Sequence, residues 1–558
     1  MEVEQGELVF PLSRKVLAYL QATSDGIAEF VDARRLPEID AELLLLEVQT
    51  SRPQRPVYSI HRSELVGVVT VADGPPSILA LREDFPDTVH QNLMPDGLPR
   101  SLCIDDRPWA EAKTTYTGGE LIERIATWFK KAGRGELHDA SQPIDPMFVG
   151  ELANIIVPAS IWENEPEAPS GLFAFSRRPE HPTHLITCPI SSVSRELAEQ
   201  YPGFTVTTFD LAAQPMARIE FAPLDLRSLH ERLAQSGTDL GGELRRRIPK
   251  WLSEPDNRPT RLKSRLAMIF RIPIVHPVEG ATRATSTVAF VSEQTLGEVG
   301  ESLGVLLRDG TGDNPESHVI GIIPGPERTE DVALRMALVH RSFDGGLAAD
   351  LANHSSTSLQ TVAVVGGGAI GSGVAECLVR EGFFKTWIII DNDTFLPHNE
   401  ARHTLTSSDV GLDKAVALAQ RLRLIRPDIE ASAVVDEVPG READAALNRA
   451  AVIVDASASV PVARYLSDYA AKGRLLSVFF NPSGTAAVIL VEDTAKAEDL
   501  RALEAVYHRA IQTDLALHHH LDVPGMLPYA GACRTLTSRI PASRAISLSG
   551  LVANAIPR

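Results

Sequence analysis

Apolar positions near the start of the chain, Val16, Leu17, Leu20 and Ile27, fall at helical spacing and predict a helix over 12–32. Shorter apolar runs follow at Leu43 to Val48, Val57 to Ile60 and Leu65 to Val71, and predict strands. A Pro- and Asp-rich irregular stretch runs from Asp73 to Pro108 and gives way to a helical pattern at 119–132. Strands, an irregular segment and then helices predict an α+β domain over 1–150. Between 151 and 350 the runs LITCPI, FTVTTFDL, RIPIVHP and VIGIIPG alternate with helical signals, one of them at 192–201. This middle segment reads as an α/β linker domain, and its residues form no chemical constellation. Near Leu359 the pattern sharpens: TVAVVGGGAIGSGVAECLVREGFFKTWIIIDND is a strand, a glycine turn, a helix and a second strand. That is the βαβ nucleotide-binding unit, and it opens a Rossmann-like domain over 351–558. The expected fold class is therefore multidomain α/β.

Composition narrows the function classes. At 558 residues the chain is too long for one core. A formal charge of −19 argues against broad attraction to nucleic acid or anionic lipid. The basic stretch from Arg245 to Arg265, with Arg246, Arg247, Arg261 and Lys263, is expected to be a solvated helix face. The opening MEVEQGELVF has no basic start followed by an apolar run, and no segment reaches about 18 uninterrupted apolar residues. A cytoplasmic protein is expected. Its four cysteines, Cys103, Cys188, Cys377 and Cys533, are far apart and include no CxxC pair, so neither a disulfide framework nor a zinc site is expected. The triplet His518, His519 and His520 reads as a solvated loop.

The chemistry concentrates after the strand at Thr361. Gly366, Gly368 and Gly371 form G-x-G-x-x-G between a strand and a helix, where backbone N–H groups can face phosphate. Asp391 ends the next strand, where a carboxylate can accept hydrogen bonds from ribose. To this point NAD and ATP are both possible. Beyond it stand Asn399 and Arg402, spaced N-x-x-R, and then Lys414. An NAD site gains nothing from these donors, whereas loading a carboxylate onto an α-phosphate and expelling pyrophosphate needs them. Over roughly 359–558 the chain resembles the ThiF-like superfamily of ubiquitin-activating and sulfur-carrier adenylating enzymes. The resemblance implies that Asp391 holds the ATP ribose, that Asn399, Arg402 and Lys414 hold the phosphates, and that Mg²⁺ accompanies ATP. One departure stands out: the family's Mg²⁺-binding aspartate falls at Ala458 here, with Asp455 three residues earlier as a possible substitute, so no metal ligand is assigned.

Cys533, in LPYAGACRTLTSR, is followed by Arg534, and a neighbouring cation raises the thiolate fraction. The resemblance implies a catalytic cysteine at this place. The chain ends at Arg558 soon after, where the family often carries further strands or a domain, so a shortened chain is expected. Cys103 lies in LREDFPDTVHQNLMPDGLPRSLCIDDRPW. An H-x-N segment, a turn and then L-C-I-D resemble ubiquitin-conjugating enzymes over about 1–150, with Gln91 where their proline stands. That resemblance implies that Cys103 carries a thioester, Asn92 donates to the oxyanion, His90 holds the loop and Asp105 orients the amine. Cys188 and Cys377, flanked by apolar residues, are expected in core packing.

The combination looks like the activating and conjugating fusions of bacterial antiphage operons of the cyclic-oligonucleotide (CBASS) type. It implies adenylation of a ubiquitin-like or similar protein tail, thioester relay from Cys533 to Cys103, and conjugation to a target lysine, by a homodimer. Two other readings stay open: a sulfur-carrier adenylyltransferase, and a non-catalytic scaffold that binds nucleotide and a protein tail.

Overall fold

The computed structural model describes residues 8–556 apart from 24–25, 96, 140–141, 143–144, 151–152, 163–171, 177–183, 195, 197–199, 202, 277–279, 309–317, 321–327, 355–359, 470–472, 494–496, 523–525 and 529–535. The chain divides into two compact units, Met1–His340 and Arg341–Arg558. Among the described residues no helix is long and apolar enough to cross a membrane.

The first unit opens with a helix, Pro11–Ala22, shorter than the 12–32 predicted. Ile27 extends the helical spacing, but Gly26 adopts φ 70 and turns the chain into a strand, Ala28–Leu36, that the periodicity missed. This strand pairs with Ala41–Gln49, which pairs with Ser63–Val71. Leu44, Leu46, Val48, Val66 and Val68 are fully buried on one face of the sheet, as period-2 alternation requires. The run Val57 to Ile60 forms no strand. The stretch expected to be irregular contributes three short strands to the same sheet, Ser77–Ala80, Gln91–Asn92 and Arg100–Leu102. The helix Gly118–Arg134 buries Leu121, Ile122, Ile125 and Phe129 and ends at Gly135 in the left-handed region.

The second half of this unit is a mixed sheet rather than a regular strand–helix alternation. Its strands run in the order 203–210, 172–176, 184–189, 153–157, 334–341, 282–295, 265–275 and the short 214–215, and 265–275 also pairs with 203–210, so the sheet closes into a barrel. Ala153, Ile155, Val157, Phe204, Val206, Ala267, Ile269 and Ala289 pack into one cluster. The alternate residues Leu266, Met268, Phe270 and Ile272 face the other way, into a cluster with the helices Leu226–Ala234 and Leu240–Trp251 that is continuous with the core under the N-terminal sheet. The sequence divides this unit at residue 150; its largest apolar cluster spans that point. The predicted helix at 192–201 falls partly outside the described residues, as does the end of the predicted VIGIIPG strand.

Several local expectations are corrected here. Arg247 and Arg261 of the basic stretch are buried, not solvated. Arg247 donates to Thr207 Oγ1 and Thr208 O at 2.9 and 2.8 Å, and Arg261 donates to the Trp251 carbonyl at 2.9 Å. His520 is also buried, 2.7 Å from the Tyr507 hydroxyl. Cys188 and Cys377 are both half-buried; Cys377 packs against the apolar core of the second unit, as expected, whereas Cys188 belongs to none of the apolar clusters of the described residues.

The second unit is built on a six-stranded sheet ordered 430–434, 386–390, 361–365, 452–455, 474–480 and 487–491. All neighbours are parallel except the last pair. Helices Ala369–Arg380, Lys414–Ile425 and Ala542–Ala555 contribute to one apolar cluster with the sheet, and Arg441–Leu447 contributes to another. Strands covered on both faces read as continuous apolar runs, and TVAVV and TWIII do so. The strand order reverses between 361–365 and 452–455, and a crevice opens beyond their carboxyl ends.

Candidate active site

The crevice of the second unit has a volume of about 660 Å³ and is lined by Gly366, Gly368, Asp391, Asn399, Arg402 and Lys414, all six expected from sequence. Gly366 turns the chain at φ 93, and a Cβ there would lie 2.6 Å from the Ser457 Cα. A Cβ at Gly371, inside the helix, would lie 2.0 Å from the Gly366 carbonyl oxygen. Gly368 differs: it caps the helix at φ −74, and a Cβ there would meet nothing within 4 Å. The first two glycines let the loop close on itself, while the third leaves its backbone open to the crevice. A group approaching the start of helix Ala369–Arg380 would meet backbone rather than side chain, which suits phosphate.

Asp391 is largely buried, and burial pushes its carboxyl above the ordinary carboxylate range despite two backbone donors and the nearby Lys414. Its Oδ2 accepts the Gly367 N–H at 2.7 Å and its Oδ1 the Asp393 N–H at 2.8 Å. Asn399 Oδ1 accepts the Leu396 N–H at 3.0 Å and starts the short helix Pro397–Glu400, which delivers Arg402 to the crevice. Burial lowers the pKa of the Arg402 guanidinium, which stays charged in any case. Lys414 is buried, and its Nζ lies 2.8 Å from Asp393 Oδ2.

Sequence reasoning missed Asp393, Phe480, Asn481, Pro482 and Ile540, which line the same crevice. It also missed His403. This imidazole accepts the Leu405 N–H on Nδ1 at 3.1 Å, so the proton sits on Nε2, which reaches the Gly367 carbonyl at 2.5 Å. Burial pulls its pKa down to about 4, so it is neutral at pH 7. A lone histidine in sequence carries no signal of such a contact, 36 residues away.

The residues fit a nucleoside triphosphate: an open glycine loop, a carboxylate at the strand end and two cations. The fit to Mg²⁺ is thinner. Ala458 lines the crevice at φ 52 and supplies no ligand. Asp455 is 2% exposed, and its Oδ1 accepts both the N–H (3.1 Å) and the hydroxyl (2.6 Å) of Ser457. Among the described residues no cluster of three or more His, Cys, Asp or Glu side chains is arranged to hold a metal. The carboxylate that fits best is Asp393, exposed and facing the crevice. Cys533 lies outside the described residues.

A separate cavity of about 480 Å³ in the first unit is lined by Cys103, His90, Asp105 and Asp106. Glu120, Glu123, Arg124, Thr127, Trp128 and Lys131 also line it, from one face of the helix Gly118–Arg134, at i, i+3, i+4, i+7, i+8 and i+11. Cys103 directly follows the strand Arg100–Leu102, and its N–H donates to the His90 carbonyl at 3.0 Å. His90 is left-handed at φ 56, and its carbonyl also accepts the Trp128 indole N–H at 3.3 Å. Its Nε2 lies 3.3 Å from His138 Nδ1, and the two rings stack. Asn92 stands beside this cavity but is not among the residues lining it: its amide donates to Ser101 Oγ at 3.0 Å and the Leu102 carbonyl at 3.3 Å. Asp105 is ion-paired with Arg107 at 2.7 Å and Arg124 at 3.5 Å. Burial pushes the Cys103 thiol up, and Asp145 and Asp106 push it further, so the thiolate is disfavoured.

A doubly wound sheet with a glycine-loop crevice, and an α+β sheet with a cysteine beside a helix, define two different classes of domain within one chain. The ThiF family model matches residues 350–511, and that of prokaryotic E2 family A matches residues 16–167, so the chain carries a domain of each. It is 30% identical over 202 residues to the ATP-dependent ubiquitin transferase-like protein Cap2 of Vibrio cholerae, covering 33% of this chain and 34% of that one. A protein of the same name from Pseudomonas aeruginosa is 28% identical over 158 residues, covering 28% of each. The chain's match thus spans about a third of the length of these curated relatives. Among solved structures, E. coli MccB with ATP is similar at 17% identity over 35% of this chain and 54% of that one, with a TM-score of 0.26. The MccB structure with AMPCPP and SeMet MccA reaches 18% over 38% and 57%, with a TM-score of 0.27. A likeness of that degree carries no inference about this chain.

Proposed function

We propose that this chain uses ATP to adenylate the C-terminal carboxylate of a ubiquitin-like or similar protein and passes the acyl group through its own cysteines to a lysine. The observation that carries the proposal is the meeting of Gly366, Gly368, Asp391, Asn399, Arg402 and Lys414 in one crevice. A carboxylate oxygen of the tail attacks the α-phosphorus, the bond to the β-phosphate oxygen breaks, and pyrophosphate leaves. Arg402 and Lys414 would offset the charge on that leaving group. Asp391 would accept from the ribose, and Asp393 would turn from Lys414 to Mg²⁺. The Cys533 thiolate then displaces AMP from the acyl carbon, and Cys103 displaces Cys533 by thioester exchange. A lysine amine finally attacks the Cys103 thioester, with Asn92 freed from Ser101 and Leu102 as the oxyanion donor. In this reading residues 351–558 form the activating domain, residues 1–150 form the conjugating domain, and residues 151–350 link them. The relatives' name supports a ubiquitin-like reaction; the proposal extends beyond that name to a cytoplasmic homodimer serving antiphage defence.

The prokaryotic E2 match favours this reading over a sulfur-carrier adenylyltransferase, which would leave Cys103 idle. Ala458 is the one observation that favours a scaffold without catalysis.

The test is ATP–pyrophosphate exchange with a tail protein, followed by non-reducing gels. Wild type should exchange, and Arg402→Ala should slow exchange by a factor of about 100, the loss expected for one stabilising donor. Cys533→Ala should make adenylate but no thioester, and Cys103→Ala should hold a reductant-sensitive thioester on Cys533 and yield no conjugate. Binding of ATP without exchange would leave the scaffold; conjugation by Cys103→Ala would remove the relay.

A further inference from the structure

Gly367, the middle residue of the glycine loop, is held through both of the peptide groups that flank it. Its N–H, in the Gly366–Gly367 peptide, donates to Asp391 Oδ2 at 2.7 Å, and its carbonyl, in the Gly367–Gly368 peptide, accepts from His403 Nε2 at 2.5 Å. The two clamping residues come from different places, the end of strand Thr386–Ile390 and the segment after the helix Pro397–Glu400. Nothing about His403 itself is adjustable. Its Nδ1 is occupied by the Leu405 N–H, which fixes the tautomer, and its ring meets Phe395 edge to face at 5.1 Å. Phe395 is itself completely buried. The Gly367 carbonyl precedes Gly368, the position whose backbone is open to the crevice. Rotation of the Gly367–Gly368 peptide would swing the Gly368 N–H away from any phosphate standing there. A glycine-rich loop has no side chains to resist that rotation, so the resistance must come from outside the loop.

We infer that His403 is a positioning residue for the phosphates of the nucleotide: by donating to the Gly367 carbonyl it fixes the Gly367–Gly368 peptide plane, whose one N–H, on Gly368, faces the triphosphate. Beside it, Arg402 supplies charge to the same crevice, so adjacent residues set the loop and meet the ligand. The inference rests on the adenylation reading for the identity of the ligand, but its mechanism concerns only phosphate binding.

Calorimetry with ATP and with adenosine separates the possibilities in the full chain. Wild type should bind ATP much more tightly than adenosine. His403→Leu should weaken ATP by about tenfold, the effect of losing one hydrogen bond to a buried carbonyl, and leave adenosine unchanged, because adenosine has no phosphate for the loop to hold. His403→Gln keeps an N–H at similar reach and should recover most of the ATP affinity. Equal ATP affinity in wild type and His403→Leu would overturn the inference, as would equal weakening of ATP and adenosine, or a Gln variant no better than Leu. If the wild-type chain binds no ATP at all, the adenylation reading and this inference fall together, whereas a normal wild-type affinity with an indifferent His403→Leu removes only the clamp.

Discussion

Replacing Gly366 and Gly368 separately with alanine should separate folding from binding within one motif. At Gly366 a side chain is opposed twice. The backbone angle of φ 93 lies where L-residues are strained, at a cost of roughly 1–2 kcal/mol, and the added Cβ would lie 2.6 and 2.7 Å from the Ser457 Cα and N. Those are backbone atoms and cannot swing aside, so relief requires the loop after strand Val452–Asp455 to shift, at a further cost of about 1–3 kcal/mol. The sum is about 2–5 kcal/mol. At Gly368 the angle is φ −74, which any residue adopts, and nothing lies within 4 Å of the new methyl. The poorer capping by alanine and the entropy lost from the unfolded chain nearly cancel, leaving a change within about 1 kcal/mol. The methyl would instead occupy crevice space where a phosphate would stand. Because the chain has two units, the assay is hydrogen exchange at the strands Thr361–Val365 and Thr386–Ile390, read beside ATP calorimetry. Gly366→Ala should lose protection at both strands. Gly368→Ala should keep protection and bind ATP at least tenfold more weakly, by analogy with losing one donor to a charged group. Normal protection in Gly366→Ala, or wild-type ATP affinity in Gly368→Ala, would refute the division of labour.

Two further predictions concern buried titrating groups and their dependence on pH. Burial and the carboxylates Asp145 and Asp106 hold the Cys103 thiol up, so Asp106→Asn should lower the pH midpoint of Cys103 alkylation by iodoacetamide; an unmoved midpoint would show that Asp106 does not act on the thiol. His403, held near a pKa of about 4 from an ordinary 6.5, is proton-free in the folded unit while the unfolded chain takes up a proton between those values. Its share of the stability is therefore present above 6.5 and is lost as the pH falls from 6.5 towards 4. Urea titrations at pH 7 and 4.5 should show a smaller pH-dependence in His403→Gln than in wild type, and identical slopes would refute the burial argument.

The features legible in sequence were those whose signal is local. TVAVVGGG names a strand and a turn because the apolar run and the glycines are contiguous, and the helix Gly118–Arg134 carries its pattern through nearly its whole length. The first helix was overextended because Ile27 fits two periods, the helical one behind it and the strand ahead, and only the Gly26 backbone decides between them. The run Val57 to Ile60 is apolar enough for a strand, but Ile60 is fully buried without joining the sheet, and Arg82 takes the Ser59 carbonyl at 2.6 Å. Arginines are read as solvated by default, yet Arg247 lies over the Phe209 ring at 4.3 Å and holds two groups of the neighbouring strand.

What remained hidden in the candidate site shares one physical feature: the contact is long-range and made to backbone. G-x-G-x-x-G treats its three glycines alike, but a Cβ would clash with Ser457 at one, with Gly366 itself at another, and with nothing at Gly368. The clash with Ser457 joins segments far apart in the chain, and no spacing rule within the motif could anticipate it. The same holds for the backbone of Gly367, whose N–H and carbonyl find their partners at Asp391 and His403. Asp391 was legible because a carboxylate at a strand end has a ligand to explain it. His403 was not, because a donor aimed at a carbonyl leaves no trace in side-chain chemistry. A glycine loop trades side-chain contacts for backbone access, so the groups that make it rigid must lie elsewhere in sequence. They are found only once the chain is folded, and the residue next to a recognised phosphate ligand is the first place to look for them.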